Sequence, residues 1–120
     1  MMIRGVRGAT TVKEDSVEEV RRATQNLIQQ MLKINKIEVS DLGSIVFSAT
    51  HDIRSEFPAA MVRGLGLEDV PLLDVQEMFK EGALEKCIRV LMHWNTDKSQ
   101  TSIKHVYLEG AKVLRPDLSN

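Results

Sequence analysis

The sequence predicts one α+β domain in which helices cover a single face of a β-sheet. Three observations support this prediction. The length of 120 residues fits a single domain. One long amphipathic helix signal stands near the beginning, whereas the other apolar runs are short and rich in β-branched residues, as in strands. The elements follow in the order β-α-β-α-β-β-β, without an internal repeat, a linker or a low-complexity segment.

The first strand and the first helix have the clearest signals. Residues 3–12 are rich in β-branched side chains, although Gly5 and Gly8 weaken this strand. Ser16 and Glu19 have the spacing of a capping box, which marks a helix N-terminus. The predicted helix covers about 16–36, and its apolar stripe consists of residues at three- and four-residue spacing: Val17, Val20, Leu27, Ile28, Met31 and Leu32.

The later elements are shorter and are separated by turn residues. Pro58 suits the first turn of a short helix, which two glycines end. Pro71 stands beside a short strand and predicts that this strand lies at a sheet edge or strand end. The predicted elements are a strand at 44–50, a short helix at 59–63, strands at 70–75, 87–94 (central) and 103–108, and a loop or 3₁₀ turn at 76–86.

The composition excludes several classes of function. Sixteen Lys and Arg residues stand against seventeen Asp and Glu residues, which gives a formal net charge of −1. This balance excludes a broad basic surface for nucleic acid or for an anionic membrane. The single cysteine excludes an internal disulfide, the N-terminus has no apolar signal segment, and no apolar run approaches the roughly 20 residues that span a bilayer. We therefore expect a soluble, cytoplasmic protein.

Two arginines interrupt predicted strands. Arg89 shares one face of the strand at 87–94 with apolar side chains, where an unpaired charge is costly. Arg89 therefore pairs with a local carboxylate or extends its head to water, or else it binds an anionic group in a dry pocket. Arg7 stands between two glycines, which would let a ligand approach the strand, although a lone strand arginine is more often simply solvated. Arg4 points to the opposite face and is the solvated comparison.

Other chemistries find little support in the sequence. The three histidines lack the spacing of metal ligands, so we predict no metal site. Cys87 begins a buried strand and is predicted to be a small hydrophobic residue, not a nucleophile. Tyr107 can simply pack and hydrogen-bond, and nothing in the pattern distinguishes Glu77 from a solvated acid. Arginines with a tyrosine and a glutamate suit the binding of a polyanionic small molecule better than nucleophilic catalysis.

Several segments of the chain resemble one known family. They are MMIRGVRGATTV at the beginning, SAT at 48–50, FPA and VR within 57–63, VPLL at 70–73, QEM at 76–78, KCIRV at 86–90 and KHVYLEGAKVLRPDLS at 104–119. With these segments the sequence resembles the monofunctional chorismate mutases of the AroH class. The resemblance runs essentially from end to end.

The resemblance implies a fold and an activity. The implied fold is chorismate mutase-like: a mixed five-stranded sheet with one long and one short helix, in a homotrimer that forms a central pseudo-α/β barrel. The active sites would lie in clefts between subunits. The implied reaction converts chorismate to prephenate, on the route to phenylalanine and tyrosine, and needs no cofactor and no metal.

The resemblance also implies roles for individual residues. Arg7 would bind a carboxylate of the substrate, Arg89 would face the ether oxygen, and Glu77 would bind the ring hydroxyl. Tyr107 would contact the other end of the substrate. The implied substrate-binding residues are a wall from the neighbouring subunit (Phe57, Ala59, Arg63), lining residues (Leu72, Leu73, Asp74), and Leu114 and Arg115 in a flexible C-terminal tail at about 112–120.

The sequence departs from the family pattern at two positions. Ala60 stands where a lysine can occur, so one peripheral cation is absent. Asp74 stands where the pattern has a cysteine or another small residue. An added carboxylate beside a dianion should weaken binding unless it is paired or points away from the ligand.

Two other functions stay open on the sequence alone. A non-catalytic trimeric binding protein could keep the arginines to hold an aromatic dianion. An imine or enamine deaminase of the related trimeric fold also uses an arginine that binds a carboxylate, although the segments quoted above fit that family much less well. An assay with chorismate decides between the binding protein and the chorismate mutase that the resemblance implies.

Overall fold

A computed structural model describes residues 1–114 of the chain. The strands are β1 (Met2–Thr11), β2 (Leu42–Ala49), β3 (Leu72–Gln76), β4 (Cys87–Thr96) and β5 (Val106–Tyr107). The α-helix of this part of the chain is α1 (Val17–Asn35), and the 3₁₀ helices are Val39–Asp41, Pro58–Val62, Gln100–Ser102 and Glu109–Val113. None of the described helices combines the length and the apolar character that crossing a membrane requires.

The five strands form one mixed sheet in the order β3-β2-β4-β1-β5. The central strand β4 is antiparallel to both of its neighbours, β1 and β2. The outer strands are parallel to the strands beside them, β3 to β2 and β5 to β1. The predicted mixed five-stranded sheet, the central place of β4 and the edge position of the strand beside Pro71 are therefore confirmed.

The long helix begins and ends where the sequence predicts. The Ser16 hydroxyl accepts a hydrogen bond from the backbone N–H of Glu19 (3.2 Å), which satisfies a donor that the first helical turn leaves unpaired. At the other end Lys36 adopts the left-handed conformation (φ 55°), and the Ile37 N–H donates to the Leu32 carbonyl. This is the geometry of a C-terminal cap, and it stops the helix there.

One face of the sheet packs against α1 and the 3₁₀ helix Pro58–Val62. The core between these layers contains fully buried side chains from the helix and from three strands: Val6, Leu27, Ile28, Met31, Ile45, Phe47 and Met92. Gly8 lets the helix approach β1, because a Cβ atom at this position would collide with the Met31 sulfur. On the opposite face only the short 3₁₀ helix Glu109–Val113 packs, against the end of β1, and the described helices leave the rest of this face uncovered; we call it the open face.

Three predicted elements differ from the structure in kind or extent. The short helix predicted at 59–63 is the 3₁₀ helix Pro58–Val62, and the strand predicted at 70–75 is β3 (Leu72–Gln76). The last strand, predicted at 103–108, has only two residues. Its first half is irregular because the buried Asn35 side chain binds both the backbone N–H and the carbonyl of Lys104 (2.9 and 2.8 Å).

Candidate active site

The strand register brings three of the predicted residues together on the open face. Arg89 of β4 lies opposite Ala9 of β1, and Tyr107 of β5 lies opposite Ala9 on the other side. Arg7 stands two residues before Ala9 on the same strand, so its side chain leaves the same face of the sheet. These residues line a cavity of about 320 Å³ together with Gly8, Ala9, Val46, Ser48, Val90, Leu91 and Leu114.

Arg89 is held by an ion pair. Its Nε atom lies 2.6 Å from Oε1 of Glu77, and the Ser48 hydroxyl donates to the same oxygen at 3.4 Å. The Glu77 backbone N–H donates to the Ala49 carbonyl (3.0 Å), which fixes the carboxylate just beyond the end of β3. The carboxylate side chain is 14 % exposed and the arginine side chain 44 % exposed, so the dry surroundings expected for Arg89 are not present in one chain alone.

Arg7 and Tyr107 are positioned by different means. The Arg7 backbone N–H donates to Nδ1 of His105 (2.9 Å), while its side chain is exposed on the open face. Tyr107 is only 7 % exposed and packs in a cluster with Ala9 and Ala111. Arg4 lies on the other face of β1, as predicted, and its Nε donates to the Lys98 carbonyl (3.1 Å).

A second group of predicted residues lies elsewhere in the chain. Phe57, Ala59, Arg63, Leu72 and Asp74 line a separate concavity of about 360 Å³ beside the edge strand β3. This concavity belongs to the helix-covered side of the sheet, because Asp74 lies opposite the buried Phe47. One chain therefore does not bring these residues to Arg89.

Asp74 is both paired and directed away from the arginine cavity. Its Oδ1 atom accepts a hydrogen bond from the Ala59 backbone N–H (3.0 Å). Burial raises the pKa of the Asp74 carboxyl above its ordinary value, and the hydrogen bond from Ala59 opposes this effect. Because the Asp74 carboxylate is paired and points away, it does not disturb, within one chain, an anion bound near Arg89.

The remaining predicted residues fall in three places. Leu73 lies opposite Val46, which puts its half-exposed side chain on the open face, whereas Leu72 points to the other side. Leu114 lines the cavity of Arg89. Arg115 and most of the predicted C-terminal tail lie outside the described residues.

Sequence reasoning missed two positioning residues of this site. Ser48 was not singled out, although its place in β2 predicts that it shares the open face with Arg89, its register partner. His105 was considered only as a metal ligand, and its hydrogen bond with Arg7 depends on the pairing of β1 with β5. In both cases the signal lies in strand register, which a single sequence does not specify.

The side chains of the site offer no activated thiol. Burial raises the pKa of the Cys87 thiol to about 11, so this cysteine stays protonated at neutral pH. Its full burial agrees with the prediction of a small hydrophobic residue. Within residues 1–114, no three His, Cys, Asp or Glu side chains group closely enough to hold a metal ion. The chemistry available is that of fixed charges and hydrogen-bond donors around a small cavity.

Comparisons with known proteins agree with this geometry. The family model described as chorismate mutase type I matches residues 3–118. The chain is 45% identical over 120 residues to chorismate mutase AroH of Thermus thermophilus, covering 99% of this chain and 98% of that protein. It is 48% identical over 120 residues to chorismate mutase AroH of Bacillus subtilis (99% and 94%).

A solved structure shows the same fold. A chorismate mutase from Clostridium thermocellum superposes with a TM-score of 0.88 at 46% sequence identity, covering 91% of this chain and 97% of that one. Sequence and structure thus point to the same relatives over nearly the whole chain. The chain belongs to the chorismate mutase type I family.

Proposed function

We propose that this chorismate mutase rearranges its substrate in a site shared by two subunits of a homotrimer, with Arg89 as the main catalytic residue. The observation that carries the proposal is the Arg89–Glu77 ion pair (2.6 Å) in the cavity that Arg7 and Tyr107 also line. The cytoplasm is the proposed compartment, since the single cysteine allows no internal disulfide and nothing points to an oxidising environment.

The reaction explains why a cavity of fixed charges is sufficient. Chorismate rearranges to prephenate in one intramolecular step, in which a C–O bond breaks while a C–C bond forms. Bond breaking leads, so negative charge grows on the ether oxygen while the ring becomes positive. A cation beside this oxygen stabilises the transition state more than the substrate, and this difference is what accelerates the reaction.

Arg89 suits this role because its orientation is set before the substrate binds. The Glu77 carboxylate holds the guanidinium at Nε, and Ser48 donates to that same carboxylate. A donor that is already oriented pays no reorganisation cost when charge develops. In the proposed site, Glu77 also binds the ring hydroxyl.

The other residues of the cavity would bind and orient the substrate. Chorismate is a dianion, and Arg7 is placed to pair with one carboxylate. Tyr107 lines the same cavity and would restrict the enolpyruvyl arm to the conformation that reacts, while Leu114 would add an apolar contact to the bound substrate. Such restriction lowers the entropy cost of the step without any covalent contact.

The sharing of the site between subunits follows from the separation of two groups of residues. Phe57, Ala59 and Arg63 stand on the helix-covered side at the β3 edge, whereas Arg89 is on the open face. A neighbouring copy could place this wall over the open cavity and add the Arg63 cation to it. Closing the cavity in this way would also remove water from the half-exposed Arg89, which strengthens its interaction with an anion.

The open face supports a homotrimer because, beyond the end that the 3₁₀ helix Glu109–Val113 covers, it exposes large apolar side chains. Ile3, Leu73 and Leu91 are 64, 58 and 37 % exposed in one chain. Leu73 and Leu91 both lie opposite Val46 in the sheet and so form one apolar patch, and such a patch marks an interaction site. Association of three copies around this face would form the central barrel of the family.

The test of the proposal is the replacement of Arg89. We expect Arg89→Ala to lower kcat by at least about 10²–10³, the typical loss when one preorganised donor is removed. Arg89→Lys should also have a low kcat, because an ammonium group cannot reproduce the planar guanidinium that pairs with Glu77. Turnover is measured as the loss of chorismate absorbance in the ultraviolet.

Two controls make this experiment decisive. Circular dichroism shows whether each variant is folded, and Arg4→Ala removes an arginine from the other face of the same sheet and should retain activity. A folded Arg89→Ala protein with near-normal turnover would contradict the proposed mechanism. A wild-type protein that binds chorismate without converting it would instead be the non-catalytic binding protein.

A further inference from the structure

Glu109 occupies an unusual backbone position two residues after the end of β5. Its φ is 50°, in the left-handed region that residues with a side chain rarely adopt. Glu109 also begins the 3₁₀ helix Glu109–Val113, which leads to Leu114 in the cavity of Arg89. The turn at Glu109 therefore decides in which direction the chain continues toward the cavity.

The side chain of Glu109 joins two other elements at this turn. Its Oε2 atom accepts a hydrogen bond from the hydroxyl of the fully buried Thr10 in β1 (3.0 Å). Its Oε1 atom lies 3.3 Å from Nη2 of Arg22 in α1. Arg22 is itself oriented by Glu19, whose Oε2 lies 2.7 Å from the arginine Nε. The left-handed backbone conformation of Glu109 costs energy, and contacts of its side chain with both the sheet and the helix stabilise it.

The backbone on each side of Glu109 is pinned to the same stretch of β1. The Leu108 N–H donates to the Ala9 carbonyl (2.9 Å), and the Gly110 N–H donates to the Thr11 hydroxyl (3.0 Å). A side chain at Gly110 would bring its Cβ within 2.8 Å of that hydroxyl oxygen, so only glycine fits without a shift. Three consecutive residues of β1 therefore fix three consecutive residues of this turn.

We propose that Glu109 is a positioning residue for chorismate binding. Through Thr10 and Arg22 it sets the direction of the segment after β5 and so holds Leu114 against the cavity of Arg89. The proposal rests on the proposed function, which assigns that cavity to the substrate. Glu109 does not line the cavity, so its loss should weaken substrate binding and leave the chemical step largely unchanged.

The experiment compares three substitutions of Glu109 by steady-state kinetics. We expect Glu109→Ala to raise KM about tenfold with kcat within about twofold of wild type, since it removes hydrogen bonds to a charged group. Glu109→Gly should raise KM as much, although glycine tolerates the left-handed backbone. Glu109→Gln keeps an acceptor for Thr10 and should show a smaller rise.

A second measurement separates positioning from general stability. The amide N–H groups of Ala111 and Leu114 donate to the carbonyls of Leu108 and Ala111 in the wild type. We expect both amides to exchange with solvent faster in Glu109→Ala, while the amides of β4 keep their protection. Glu18→Gln is the matched control, because it removes an exposed carboxylate from the first turn of α1 and leaves the Arg22–Glu109 pair in place, and its KM should equal that of the wild type.

The outcomes separate this proposal from the proposed function. If folded Glu109→Ala and Glu109→Gly keep the KM of the wild type, the positioning role is wrong. If Glu109→Gly behaves as wild type while Glu109→Ala does not, only the backbone conformation matters and the proposal also fails. An active Arg89→Ala protein would overturn the proposed function instead, whatever the exchange of Ala111 and Leu114 shows.

Discussion

Arg89 is ion-paired at its Nε atom and has small residues beside it on both neighbouring strands. Its register partners in β1 and β2 are Ala9 and Ser48, which leave room on the open face for a ligand. Glu77 fixes the guanidinium from the end of β3 and lies largely buried. An arginine held this way keeps a donor direction that water would otherwise randomise, and this is what transition-state stabilisation requires.

Asp74 is a partly buried carboxylate at the edge strand β3, and it predicts a pH dependence of stability. Burial raises the pKa of its carboxyl above the ordinary 3.8. The native state therefore holds the proton more tightly than the unfolded chain. The stability that Asp74 contributes is present below pH 3.8 and is lost as the pH rises through the raised pKa.

We expect Asp74→Asn to melt at a slightly higher temperature than the wild type near neutral pH. Asparagine cannot ionise, and its side-chain oxygen still accepts the hydrogen bond from Ala59. The difference should shrink as the pH falls toward 3.8, because the carboxyl of the wild type takes up its proton as the pH falls through the raised pKa. Melting curves of both proteins across this range check the prediction; a difference that grows toward acid would show that the sign is wrong.

At the residue scale the sequence could identify Arg7 and Arg89 but not what surrounds them. Period-two alternation correctly separated Arg7 from Arg4, because adjacent strand positions face opposite sides. The carboxylate that pairs with Arg89 follows β3 in a loop, and nothing local distinguishes Glu77 from a solvated acid. The two interpretations of Arg89 do not exclude each other. Its pairing with a local carboxylate is observed, and its place in an anion-binding site is proposed.

At the scale of elements, prediction succeeded where the signal is local. The helix at 16–36 depends on a cap and a stripe within one segment, and both are present. The strand predicted at 103–108 is mostly absent because Asn35, distant in sequence, satisfies the backbone of Lys104. A side chain that is distant in sequence and takes over the hydrogen bonds of a strand's backbone cannot be predicted from the sequence of that strand alone.

The contact of α1 with β1 predicts a cost for adding a single methyl group. We expect Gly8→Ala to lower the free energy of unfolding by about 1–3 kcal/mol, the usual range for overpacking a core. A Cβ at this position would collide with the Met31 sulfur and press on Leu27. Urea unfolding at one fixed protein concentration measures the change.

Gly5 of the same strand provides the matched control for this prediction. A Cβ there would meet Cδ1 of Leu91 at 3.5 Å, which is an ordinary contact. Gly5→Ala should therefore leave the stability nearly unchanged or raise it slightly. Equal losses in the two variants would mean that strand conformation, and not the approach of the helix, explains the glycines of β1.

For the whole molecule, net charge and local charge give different information. A net charge of −1 offers no broad basic surface for a polyanionic polymer, yet Arg7 and Arg89 stand on one open face. In the proposed trimer, Arg63 of a neighbouring subunit would join them. Three arginines against Glu77 would leave the cavity positive enough for a dianion, although the chain as a whole is almost neutral.

A mixing experiment tests whether one site draws on two chains. Arg89→Ala and Arg63→Ala proteins should each be nearly inactive, because every site of either homotrimer lacks one arginine. When the two chains assemble together at random in equal amounts, about a quarter of the sites combine an intact Arg89 with an intact Arg63 of the next subunit. Co-expression followed by the chorismate assay should recover about that fraction of wild-type turnover.

The control for the mixture is a pair of substitutions on the same side of the proposed site. Arg7→Ala and Arg89→Ala both act on the cavity that one chain forms, so mixing them should leave every site without one of the two arginines. Recovery in the first mixture but not in the second would require that Arg63 and Arg89 come from different chains. Within one chain, the wall at Arg63 and the cavity at Arg89 lie on opposite sides of the sheet and cannot meet without rebuilding it. Equal activity in both mixtures, or an active monomer in sedimentation, would therefore contradict a shared site.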